Sequence, residues 1–101
     1  MLTVREILLR TFLNKPYNLS SLQNETTLVD RPCHLHSVTI NINGSADSLV
    51  ILRDGTAGTV IATIDGDPTG KSFIFDIEVL TRLTVQITGT TSPDITIAVG
   101  G

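Results

Sequence analysis

HLHSVTINI (34–42), SLVILRD (48–54), GTVIATID (58–65), SFIFDIEV (72–79), RLTVQITG (82–89) and DITIAVG (94–100) follow one another along the chain. They are separated only by NGSAD (43–47), GTAG (55–58), GDPTGK (66–71) and GTTSPD (89–94). Val38, Ile40 and Ile42 alternate with Thr39, Asn41 and Asn43, the period of two that half-buries a strand. Leu35 lies out of phase with them, so a bulge or bend is expected near His36 and Ser37. The run 49–52 is continuously apolar and stops at Arg53-Asp54-Gly55. Val60, Ala62 and Ile64 alternate again, as do Phe73, Phe75, Ile77 and Val79, with Ile74 on the opposite side. Leu83, Val85 and Ile87, then Ile95, Ile97 and Val99, complete the pattern.

Six or seven short strands at intervals of about 8–12 residues are the signature of an antiparallel sandwich or barrel. No segment between them has the length or period of a crossover helix, so a parallel sheet is not expected. The expected fold is an all-β antiparallel β-sandwich, jelly-roll or immunoglobulin-like, of about seven strands. Its core is Val/Ile/Leu packing, with Phe73, Phe75, Val85, Ile87, Ile95 and Ile97 turned inward. The final strand reaches almost to the C-terminus and needs a neighbour. An exposed edge there would favour association with a second copy.

Residues 1–24 read differently. Thr3 and Glu6 stand at capping-box spacing, and Val4, Ile7, Leu8 and Phe12 then share one helical face, with Arg5 and Arg10 off it. A short N-terminal helix or arm is expected; a strand over residues 3–8 is the competing reading. Too short to be stable alone, such a helix must dock its apolar face, on its own sheet or on a neighbouring subunit. Residues 15–25 (KPYNLSSLQNE) show neither period and read as an extended connector. The chain thus divides into a helix or arm with connector over 1–24 and a sandwich over 25–101.

The 101 residues make one domain and suffice to bury about 60–65% of the unfolded surface. A net charge of −3, with seven Lys and Arg scattered along the chain, supplies no basic face for nucleic acid or an anionic membrane. The single cysteine, Cys33, cannot close an internal disulfide. The opening apolar stretch is interrupted by Arg5, Glu6 and Arg10, which is not the pattern of a secretory signal. Asn18, Asn24 and Asn43 open glycosylation sequons, read as coincidental in that context.

Residues able to carry chemistry are few. Residues 65–72 (DGDPTGKS) approach a phosphate-binding loop, but Asp65 stands where its first glycine belongs and a strand pattern follows in place of a helix. The loop is read as a hairpin turn. Asp65 and Asp67 lack the further acidic ligands and helical flanks of a calcium loop. Asp54-Gly55-Thr56 inverts the last two residues of an aspartic-protease triplet and reads as a turn. His34 and His36, two apart on a strand, point to one face at a spacing a metal would accept, while Cys33 points to the other. With no third ligand evident they are read as an exposed polar pair. Cys33 is read as a buried thiol, not a nucleophile. No catalytic residue, metal ligand or cofactor-binding residue is assigned, no cofactor is expected, and the chain is not expected to be an enzyme.

The segments 49–55, 72–75, 83–90 and 94–97 together resemble a group of small tailed-phage virion proteins. Those share a leucine-rich strand ending in an Asp-Gly turn, a phenylalanine strand, a G-L-x-V-x-x-x-G-T segment and a final D-[IV]-T-[IV] strand. Arg82 stands where glycine is common, and the resemblance spans residues 33–101. It implies a compact β-sandwich, often trimeric, that serves as a capsid decoration or cement protein between neighbouring capsomers on the outer shell. The implied partners are the major capsid protein and further copies of the chain, with neither nucleic acid nor membrane. The implied location is the capsid surface after synthesis in the host cytoplasm. Val4, Ile7, Leu8 and Phe12 are then the candidate partner-binding residues of the arm. A tail, neck or fibre-associated module, and a carbohydrate-binding or adhesin module, remain alternatives. The latter usually stacks sugars on exposed aromatics, and Tyr17 alone is a candidate.

Overall fold

A computed structural model describes residues 14–67 and 70–100. The expected helix, and with it Val4, Ile7, Leu8 and Phe12, lies outside the described residues. The alternating segments form strands as their period demands: β1 (Lys15–Leu19), β2 (Gln23–Val29), β3 (Cys33–Ile42), β4 (Leu49–Asp54), β5 (Thr59–Asp65), β6 (Ser72–Val79), β7 (Leu83–Thr88) and β8 (Asp94–Gly100). They build two four-stranded sheets, ordered β1-β8-β3-β6 and β2-β7-β4-β5, and every pairing is antiparallel. The β-sandwich expectation is met with eight strands in place of about seven. The additional strand comes from the stretch read as a connector. Tyr17 and Leu19 of β1 pair with Ile97 and Ile95 and pack against the core, and β2 begins at Gln23.

Among the described residues only β4 and β5 are both adjacent in sequence and paired; every other connection passes from one sheet to the other. The loop after Asp65 is therefore a corner joining β5 to β6 across the sandwich, not the hairpin expected from its glycines. The final strand is not an edge either. β8 lies between β1 and β3, so it already has a neighbour on each side.

The core is aliphatic. Leu35, Val38, Ile40, Val50, Leu52, Val79, Leu83, Val85, Ile95 and Ile97 are wholly buried, and Ile87, Ile64, Val29, Cys33 and Val99 nearly so. Phe73 and Phe75 are only partly buried, on a strand that among the described residues is an edge of its sheet.

The loops of one end interlock. Gly44 donates to the Gly66 carbonyl at 2.8 Å, Gly66 to the Ser48 carbonyl at 3.0 Å, and Ser45 to the Thr91 carbonyl at 3.1 Å. A methyl on Gly44 would lie 2.6 Å from the Thr91 carbonyl oxygen, and one on Gly89 (φ +121°) 2.8 Å from Ser48 Cα, so both positions require glycine. At the opposite end the Asp54 carboxylate accepts from the Leu80 and Thr81 amides, each at 2.9 Å. Arg82, the departure from the glycine of the resemblance, reaches Asp30 at 3.0 Å there.

Candidate functional site

The outer face of the first sheet carries the densest side-chain chemistry. Because side chains alternate along a strand, the residues that bury Leu35, Ile40, Ile95 and Ile97 send His34, Thr39, Asn41, Asp94 and Thr96 outward. Toward the β1 side, Asp94 Oδ1 accepts from Asn18 Nδ2 at 2.7 Å and from Asn41 Nδ2 at 3.0 Å. Asn41 also donates to Thr96 Oγ1 at 2.8 Å. These bonds hold the Asp94 carboxyl below its ordinary range, the one from Asn41 most. Thr39 and Ser72 bond across β3 and β6 at 2.9 Å.

Toward the β6 side the bulge expected near His36 is present. Leu35 pairs with Val99 but Ser37 with Ala98, so β3 carries one residue more than β8 there. Against β6, Leu35 pairs with Ile77 and Ser37 with Ile74, which sets the single residue His36 opposite both Phe75 and Asp76. Asp76 takes up the irregularity with φ 50°, a left-handed conformation uncommon outside glycine. Its Oδ1 lies 3.1 Å from His34 Nε2 and 2.5 Å from His36 Nδ1. The hydrogen bond to His36, and after it that to His34, holds the Asp76 carboxyl below its ordinary range. The two histidines thus share a face, as their spacing implies, but they are not a bare pair. Among the described residues, His34, His36 and Asp76 are the group whose nitrogen and oxygen donors all fall within 4.8 Å of one another. Asp76 was not legible as their partner, since nothing in the sequence says that β3 pairs with β6.

The remaining candidates are placed plainly. Cys33 points inward opposite Val79, as its position beside His34 implies, and burial pushes its thiol pKa up, which makes it a poor nucleophile. Asp65 accepts from the Asp67 amide at 2.9 Å, and the strand β6 follows the loop, so the helix a phosphate loop requires is not there. Asp54 ends a strand at a turn, its carboxylate held below the ordinary range chiefly by the Leu80 amide. Tyr17, the candidate for sugar stacking, packs against the core. Among the described residues no helix is long and apolar enough to cross a membrane. Compared with known proteins, the chain matches no family model and no curated protein.

Proposed function

We propose that the chain is a structural protein of a tailed-phage virion, and within it a capsid decoration protein that seats between capsomers on the outer shell and stabilises them. The observation that carries the reading is the strand order, β1-β8-β3-β6 over β2-β7-β4-β5. It is the arrangement of an eight-stranded jelly roll, an architecture used by viral capsid and lectin domains. Fold alone never specifies function; the resemblance over residues 33–101 adds the virion context. The interlocked loops at one end and the hydrogen-bonded polar sheet face suit a rigid part that works by area. The role is structural, with the major capsid protein and further copies of the chain as partners and a trimer as the working unit. Val4, Ile7, Leu8 and Phe12, ahead of β1, are the residues proposed to anchor on the lattice or on a neighbouring subunit.

Light scattering after size exclusion, followed by co-sedimentation with tailed-phage capsids stripped of their decoration protein, tests this. A trimer that sediments with capsids, and a Val4/Ile7/Leu8/Phe12→Ser variant that does not, is the expected result. A protein that ignores capsids but is retained by tail, neck or fibre assemblies would move it elsewhere in the virion. One that ignores both but is retained on a glycan array would be a sugar-binding module. The inward packing of Tyr17 weighs against that last outcome.

A further inference from the structure

We propose that His34, His36 and Asp76 form a binding site for a divalent first-row transition ion of the zinc type, on the outer face of the first sheet. Two imidazoles and a carboxylate are the donor set such ions take in three-ligand sites, with water completing the shell. Calcium, which needs about six to eight oxygens, is excluded by the same donors. Ligand bonds of about 2.0–2.2 Å set donors around one ion about 3.0–3.6 Å apart. Asp76 Oδ1 already lies 3.1 Å from His34 Nε2 and 2.5 Å from His36 Nδ1, and all three donors fall within 4.8 Å. The 3.1 Å separation is already that of two donors on one ion, while the 2.5 Å hydrogen bond to His36 has to open for the ion to enter.

The backbone is what brings the donors together. His34 and His36 come from β3, and Asp76 from the paired edge strand at the point where two residues face one. At φ 50°, glycine would be the undemanding occupant of position 76. An aspartate there instead directs its carboxylate at both rings, and such local strain gathers at functional positions. The site is half-open. The imidazoles are 27% and 32% exposed, so each is steadied by packing, while Asp76 at 51% leaves the approach to solvent free. On the β8 side His34 faces Gly100, which brings no side chain over it. On the β6 side its register partner is Glu78, which is not among the three residues whose donors converge. An ion held there ties β6, which among the described residues is paired with β3 alone, into its sheet.

The test is titration of the untagged full-length chain with Zn2+ by calorimetry, with thermal unfolding followed in parallel. Co2+ serves as a spectroscopic substitute. The expected result is one ion per chain, a saturable rise in Tm with Zn2+ and none with Ca2+. Affinity is expected to fall at least about 100-fold in His36→Ala and in Asp76→Asn. Both substitutions lie on the surface, and the unfolding of the ion-free variants shows whether they fold. The Co2+ complex should show nitrogen and oxygen ligation without a thiolate charge-transfer band. No saturable binding by millimolar Zn2+, or binding that survives both substitutions, overturns the proposal. So does a thiolate band, which would assign the ion to Cys33.

Discussion

Asp47 shows how much one surface side chain can organise in a chain with so few charged groups. It sits in the loop between β3 and β4 and accepts from the Ser45 hydroxyl at 2.5 Å, the Thr90 amide at 3.1 Å and the Thr90 hydroxyl at 3.0 Å. Ser45 in turn accepts from the Thr90 and Thr91 amides, at 3.1 and 2.9 Å, so one carboxylate pins the β3–β4 loop to the β7–β8 loop. These bonds, the Ser45 hydroxyl foremost, lower the Asp47 pKa from 3.8 to about 2. A carboxyl whose folded value is depressed adds stability that is complete above its unfolded pKa and is lost as pH falls through the folded one. The window therefore runs from about pH 4 down to about pH 2. Asp47→Asn should be less stable than the parent at neutral pH, and the gap in urea midpoint should close across that window. A gap that stays constant down to pH 2 would mean the carboxylate does not hold the loops.

At the level of elements, the strands with an alternating apolar face could be read directly, β2 only at its end in Leu28 and Val29, and β1 not at all. β3, β4, β7 and β8 announce themselves because core residues recur every second position, β5 and β6 because their apolar residues alternate although only Ile64 and Val79 are buried, and the misphased Leu35 even located the bulge at His36. β1 is short, includes Pro16 and has only Tyr17 and Leu19 turned to the core, so its alternation is too brief to register. β2 is polar along most of its length and closes its apolar side only at Leu28 and Val29. The His–Asp cluster was half legible for a related reason: spacing along a strand reveals which residues share a face, but pairing across 40 residues is decided by the whole core. The same logic ranks substitutions. Ile97 is wholly buried on β8, flanked by β1 and β3, and Ile97→Ala should cost about 2–5 kcal/mol. Val60, 49% exposed on the edge strand β5, should lose less than about 1 kcal/mol on the same change. Denaturant melts of the two variants measure both. Equal losses would mean that β8 is not the centre of its sheet.

Across the described residues, each sheet ends in two edge strands, and each edge is interrupted. Pro16 removes a donor from β1, β2 slips register against β7 in two places, β5 carries an extra residue at Ile61 against β4, and β6 turns left-handed at Asp76. Such irregularities block strand-to-strand addition, so assembly of copies would proceed through faces, loops or the segment ahead of β1. The same topology governs how the chain folds. With β4–β5 the sole pairing between consecutive strands among the described residues, the remaining pairs join distant segments, and β1 against β8 joins residues 15–19 to 95–99. Loop closure must then precede most of the contacts that reward it, which places folding of such β proteins in the range of roughly milliseconds to seconds. Tyr17, the one tyrosine in a chain without tryptophan, reports on this directly, because it lies on β1 and pairs with Ile97 of β8. Refolding from urea, followed by tyrosine emission in a stopped-flow instrument, should show a phase within that range. Weakening β8 with Ile97→Ala should change the rate or the stability that the phase reports. Completion within microseconds would require mainly local contacts, which a strand order of β1-β8-β3-β6 over β2-β7-β4-β5 does not provide.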